Sequence, residues 1–469
     1  MRYSIGVAIL AVMLASCPAL GTNSYVLLNH ENQDSYIMPS IAYDAATDQY
    51  NVTFLRATDY HDFNTFGWTA DLYAGAMVSD GSGNFSLSIE ECTQLNGMPV
   101  MVGTDYGENP EQTWTNPWQR MLSYTKPSRQ GNLIAWSEMI NPYCNEVFYH
   151  DFNTGTGILP RIDPDGNVKW YRRINPRVSG DTVSYWGLYR DIDAGATGWG
   201  MQIHSTTAGL SMVIDDCRPY DPYWKYYGHL TRSGGVYAET ETTGRAIFTM
   251  PEMGIEDPMA PMAVYWSEYD LDTQTNTEPE LITCDLPPHI RANNILANDK
   301  YVIWHESNCG CPPPPPGAPD EEWQMYYDSI EPEGELAAAK WNGSSYDYIG
   351  YFYAACPSST EAALFGDYLV YTDISRSQLL MMDLRDLDEM INWPDGPPVT
   401  VLAEAASGET IDSPAVWVDE NTGQYVVLYQ ASHSPADLMV ATNIPEPISA
   451  ALILIGAPLA LRRRKMRAA

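Results

Sequence analysis

Pro39-Ser-Ile-Ala-Tyr-Asp-Ala-Ala-Thr-Asp-Gln-Tyr-Asn-Val52 and Pro414-Ala-Val-Trp-Val-Asp-Glu-Asn-Thr-Gly-Gln-Tyr-Val-Val427 align without a gap, although they lie near opposite ends of the chain. Pro, Asp, Thr, Gln, Tyr and Val fall at the same offsets. Each stretch runs from an apolar segment through an Asp-containing turn into a second apolar segment. Each therefore predicts a β-hairpin whose turn carries the polar residues. A hairpin that returns at the far end of a sequence points to an internal repeat.

Between these two stretches a related cassette recurs: a turn, a strand ending in an aromatic, a loop, then a strand running into an acidic turn. One copy is Gly131-Asn-Leu-Ile-Ala-Trp-Ser-Glu138 followed by Glu146–Gly155. Others are Gly244–Thr249 with Ala263–Thr273, Asp299–Glu306 with Trp323–Asp328, and Gly366–Asp373 with Gln378–Leu384. Weaker copies begin near Asp181 and Gln49. From Gly131 onward the copies start roughly 50 to 70 residues apart, the span of four short strands and their loops in a propeller blade. The expected fold is all-β: a single β-propeller of about seven blades, with six or eight allowed. The interval from Gln49 to Gly131 is too long for one blade and predicts an insertion around Asp105–Trp118. A two-domain β-sandwich is the competing architecture; recurrence of one cassette through the whole body argues against it. The cassettes resemble the units of TolB-like propellers, without a signature that fixes a subfamily.

Sixty acidic residues against 25 basic give a net charge of −35. Such a surface repels phosphate backbones, so nucleic acid is excluded as a partner class. The 32 Tyr and 14 Trp favour strands and supply rings for ligand stacking. Seven cysteines beyond Cys17 are too widely spread for a dense disulfide scaffold, and their odd number leaves at least one unpaired. Cys309-Gly310-Cys311, beside Pro312–Pro316, reads as a loop staple because no second pair stands at zinc spacing.

The two ends read as signals. Met1-Arg2, the apolar run Ile5–Ala15 and Ala19-Leu20-Gly21 form a secretory signal peptide over residues 1–21. Leu14-Ala15-Ser16-Cys17 also fits a lipobox. Residues 22–443 form the body, and 444–469 a tail. In the tail Pro445-Glu446-Pro447 precedes an apolar segment, Ile448–Leu461, read as a short transmembrane helix. The basic cluster Arg462, Arg463, Arg464, Lys465 and Arg467 follows. The order resembles the PEP-CTERM sorting tail of bacterial surface proteins. That resemblance implies recognition by an exosortase-like membrane protease, an inner-membrane intermediate, and final placement in the cell envelope or outside it.

Candidate chemistry is sparse. Trp114, Trp118, Tyr223 and Trp224 are candidates to stack on sugar rings. Asp163, Asp165 and Asn167 resemble the start of a calcium loop but lack the distal Glu; an Asp-Gly turn explains them equally. No other cofactor is implied. Met38-Pro39-Ser40-Ile41 resembles the first-blade strand of five-bladed glycosidases, yet Met38 stands where that family carries its acid. Asp257-Pro258 and Asp412-Ser413-Pro414 keep an Asp near a Pro without forming a matched set. Ser123-Tyr-Thr-Lys126 lacks its partner motifs. With no complete catalytic set, the expectation is a non-enzymatic binding or structural module, with exopolysaccharide as a candidate partner. The alternative is a carbohydrate-active propeller enzyme, a glycoside hydrolase or lyase.

Overall fold

The computed structural model describes residues 22–30, 34–57, 68–79, 84–96, 100–102, 126–141, 144–160, 168–191, 197–214, 234–251, 262–283, 290–309, 319, 330–355, 362–385, 398–432 and 435–444. Among them the elements are strands, apart from a 3-10 turn at Ile89–Glu91. After β1 (Asn23–Leu28), blade 1 comprises β2 (Ser35–Asp44), β3 (Gln49–Ala57) and β4 (Trp68–Ser79). Its outer edge is made of the short strands β5 (Phe85–Ser86), β6 (Thr93–Gln94) and β7 (Val100–Val102). Blade 2 is β8 (Ser128–Gln130), β9 (Leu133–Asn141), β10 (Cys144–Asp151) and β11 (Gly155–Ile158). Blade 3 is β12 (Val168–Ser179), β13 (Thr182–Asp191), β14 (Thr197–Ser205) and β15 (Ser211–Ile214). Blade 4 is β16 (Gly234–Ala238), β17 (Thr243–Pro251), β18 (Met262–Asp270), β19 (Thr275–Asn276) and β20 (Glu280–Leu281). Blade 5 is β21 (Ile290–Ala297), β22 (Tyr301–Cys309), β23 (Ile330–Trp341) and β24 (Tyr346–Ala355). Blade 6 is β25 (Ala362–Phe365), β26 (Tyr368–Thr372), β27 (Gln378–Asp383) and β28 (Val399–Glu404). Blade 7 is β29 (Thr410–Asp419), β30 (Gln424–Ser432) and β31 (Asp437–Thr442), completed by β1.

The first strand of each blade touches the first strand of the next, and β29 touches β2, so seven inner strands close a ring. The closing seam joins the two ends of the body. β1 pairs antiparallel with β31, from Asn23↔Thr442 to Leu28↔Leu438. The Ser24 and Thr22 hydroxyls then bond the Tyr429 and Tyr425 hydroxyls. The fold is thus the predicted all-β, seven-bladed propeller.

Why the strands read as continuous apolar runs follows from the packing. In Tyr301-Val-Ile-Trp304, Val302 and Trp304 enter the cluster shared with blade 4, while Tyr301 and Ile303 enter the one shared with blade 6. A strand buried on both faces needs apolar residues at every position, not at every second one. Equivalent clusters fill the other five junctions between blades. The cassette aromatics Trp136, Phe248, Trp304 and Tyr371 are all core residues.

Two expected details fall outside the described residues. The strand expected at Trp323–Asp328 is one; the strand that pairs with β22 is β23, Ile330–Trp341. The insertion expected around Asp105–Trp118 is the other, and part of the extra length before Gly131 lies ahead of it. That part forms β5, β6 and β7 along the edge of β4. Cys92, just before β6, is a free thiol, and burial pushes it up to about 11.

Antiparallel order sorts the connections onto two faces. Those joining the first strand to the second are tight, as at Gly131-Asn132, Gly180-Asp181 and Gly366-Asp367. Those joining the second strand to the third, or one blade to the next, open on the opposite face. They include 58–67, 103–127, 159–167, 215–233, 252–261 and 310–329.

Candidate binding face

Four inner strands carry the same irregularity. In blades 1, 3, 5 and 7 two residues stand opposite one, at Met38-Pro39, Asn175-Pro176, Asn294-Ile295 and Ser413-Pro414. The first of each pair is left-handed, with φ of 51°, 54°, 57° and 53°. The residue opposite is aromatic each time: Phe54, Tyr185, Trp304 and Tyr429. A side chain at positive φ costs about 1 kcal/mol or more, so the surrounding packing must impose it. Met38, Asn175 and Ser413 are all buried. The bulges bend the inner strands where they line the axis of the ring.

Beyond the bulges, towards the starts of the inner strands, charges occur in pairs. Asp34 precedes β2 and binds the Arg56 guanidinium of β3. Asp412, the residue before the blade 7 bulge, lies 3.3 Å from Arg376 of blade 6. Lys126, at the entry to β8, sends its ammonium past blade 1 to the Pro414 carbonyl of blade 7, 3.0 Å away. This amine is the Lys of the Ser-x-x-Lys pattern, and a carbonyl contact is a structural use of it. The Asp of Asp412-Ser413-Pro414 is likewise held by an arginine rather than left as one of two opposed carboxyls.

Other carboxylates cap turns. The Thr47 and Thr422 hydroxyls hold Asp44 and Asp419 below the usual carboxylate range, and the Thr273 amide does the same to Asp270. Arg385 lowers Asp383. Carboxyls stabilised as anions suit turn capping or cation contact and not proton donation at neutral pH. Among the described residues no group of His, Cys, Asp or Glu is arranged to hold a metal ion.

The residues singled out from sequence lie outside the described residues: Trp114, Trp118, Tyr223, Trp224, Asp163, Asp165, Asn167, and the tail from Pro445 to Arg464. Among the described residues no helix is long and apolar enough to cross a membrane. The anchoring of the candidate connections is nevertheless fixed. Trp114 and Trp118 belong to 103–127, between β7 and β8. The three possible cation ligands belong to 159–167, between β11 and β12. Tyr223 and Trp224 belong to 215–233, between β15 and β16. All three connections join one blade to the next and spring from the same face. Sequence reasoning missed Arg56, Lys126 and Arg376 as partners of inner-strand groups. The one local signal was the recurring residue-Pro pair at Pro39, Pro176 and Pro414.

No family model and no curated relative matches the chain. Solved structures match the chain only at low similarity. Trypanosoma rangeli sialidase in complex with the inhibitor DANA is 8% identical, with 94% of this chain and 62% of that chain covered and a TM-score of 0.38. The chain thus spans less than two thirds of the sialidase. Oligogalacturonate lyase in complex with manganese is 8% identical over 90% of this chain and 98% of that chain, with a TM-score of 0.42. The β-propeller domain of the Trilobed protease from Pyrococcus furiosus is 8% identical, at coverages of 88% and 94% and a TM-score of 0.39. At this level the matches carry no activity across; the fold stands on the strand pairing itself.

Proposed function

We propose that this chain is an exported cell-surface or extracellular-matrix protein whose propeller is a non-enzymatic binding module for exopolysaccharide. The tail at 444–469 delivers it: an exosortase-like membrane protease reads Pro445-Glu446-Pro447 and the basic cluster, after an inner-membrane intermediate. The observation that supports a binding face is the sorting of connections. Those bearing Trp114, Trp118, Tyr223 and Trp224 all spring from one face, and the opposite face carries tight turns at its inner strands. Flat aromatic rings on connections anchored at one face suit stacking on sugar rings, and an acidic body keeps the protein soluble in the matrix. Calcium bound at Asp163, Asp165 and Asn167 would add a cation on that same face.

The test is retention of the exported protein on its own cell's polysaccharide and on a glycan array. Trp114→Ala with Trp118→Ala, and Tyr223→Ala with Trp224→Ala, should each weaken retention at least tenfold without altering the far-ultraviolet circular dichroism. Retention unchanged in both double variants overturns the reading. Turnover of a polysaccharide by the wild-type protein would replace it with the enzyme reading. For sorting, deleting residues 444–469 should move the protein from the envelope fraction to the soluble exported fraction.

A further inference from the structure

The closing seam places both ends of the described body at one corner. Asn23, which opens β1, pairs with Thr442, which ends β31. The chain leaves β31 without slack. Asn443 accepts a hydrogen bond from the Tyr425 amide at 2.7 Å and donates one to the Gly423 carbonyl at 3.0 Å. The Ile444 amide donates to the Thr442 hydroxyl at 3.1 Å, and the Ile444 side chain packs against the cluster between blades 7 and 1. Gly423 closes the β29–β30 turn and Tyr425 follows it in β30, so this corner belongs to the tight-turn face.

We infer that this clasp orients the body on a lipid bilayer, with the tight-turn corner of blade 7 at the membrane and the long-connection face turned away from it. The inference rests on the reading of the tail as a membrane-sorting segment. Only 445–447 separate Ile444 from the apolar run that begins at Ile448. Fully extended, that link reaches about 14 Å. The inner strands β2 and β29 are ten residues long and hold the two faces apart by about 33 Å. A tether of that length draws the near face to the bilayer and leaves the far face one strand length out. Asp48 and Glu420 are exposed at the turns beside the clasp. Anionic headgroups repel them over a Debye length of about 8 Å, so the tether rather than adhesion holds the corner down. The aromatic-bearing connections then meet extracellular polymer and not lipid.

The full chain in phosphatidylethanolamine–phosphatidylglycerol vesicles tests this. A protease recognition sequence is inserted after Asn421, in the corner turn, or after Gly107, in a connection of the far face. Insertions after Ala46 and after Gly228 form a second pair should either of the first disturb folding. The same insertions in a chain lacking residues 445–469 give the untethered rates. Tethering should slow cleavage at Asn421 or Ala46 at least tenfold and leave Gly107 or Gly228 unchanged. Protection of Gly107 or Gly228, or equal protection of both faces, overturns the orientation while the protein still floats with the vesicles. A full-length chain that does not float with them overturns the membrane reading of the tail, and the orientation with it.

Discussion

Glu146 of blade 2 and Arg173 of blade 3 form an ion pair with both side chains buried. Arg173 also donates to the Leu159 and Pro160 carbonyls at 2.9 and 3.0 Å and lies over the Tyr185 ring. A buried pair of this kind adds little net stability over an apolar pair, but half of one is costly. Glu146→Ala should therefore lower the unfolding free energy by about 3–5 kcal/mol, measured by urea titration. Glu146→Leu combined with Arg173→Met should lose clearly less than the two single changes summed.

Arg245 bolts blade 4 to blade 5. Its guanidinium sits 4.1 Å from the Trp341 ring and 4.6 Å from Tyr237, and it donates to the Tyr346 hydroxyl and the Asp299 carbonyl. Lysine keeps the charge but loses the flat stacking surface and the fork of donors. Arg245→Lys should cost about 1–3 kcal/mol in the same titration, and a shift below 0.5 kcal/mol would show that the fork is dispensable.

Stability should fall on mild acidification because of His204. Burial holds its imidazole down at about 4, with Nδ1 2.6 Å from the Ser211 hydroxyl. In the unfolded chain the group titrates near 6.5. Between those values the unfolded state binds a proton that the native state does not, so stability rises with pH across the window. The contribution is full above about 6.5 and lost as pH falls towards 4, up to ~3 kcal/mol in all. Unfolding free energies at pH 7 and 4.5 should differ less in His204→Gln than in the wild type.

The left-handed backbone at Ser413 makes a position-specific prediction. Ser413→Gly relieves the φ of 53° and should leave stability within about 1 kcal/mol of the wild type. Ser413→Val places a β-branched side chain at the same φ and should cost about 2 kcal/mol or more by thermal denaturation.

Without β1 the ring should not close cleanly. Removing residues 22–28 bares the outer edge of β31, and an unpaired edge recruits other chains. Light scattering after size exclusion should show dimers or larger species, and a synthetic peptide of residues 23–28 should return the protein to monomer. A truncated chain that stays monomeric alone would show the seam to be dispensable.

The repeat was legible because blades are built locally. Trp136, Phe248, Trp304 and Tyr371 recur at the ends of apolar runs, and those runs are continuous because each middle strand is buried on both faces. Hairpin turns marked by Asp44 and Asp419 needed only neighbours two and three residues away. Spacing alone then set the number of blades. The strand expected at Trp323–Asp328 lies outside the described residues, and the strand paired with β22, Ile330–Trp341, begins just after it.

What the sequence determined by itself was the unit, its number, the acidic surface and the signals expected at either end. Only the tertiary structure decided that Asn23 meets Thr442, that Lys126 meets Pro414, that Glu146 meets Arg173, and that the connections carrying the candidate aromatics are anchored on one face. Ring closure is the physical reason. Residues far apart in the chain become neighbours only when seven blades have turned through a full circle, and no local pattern of residues encodes that angle.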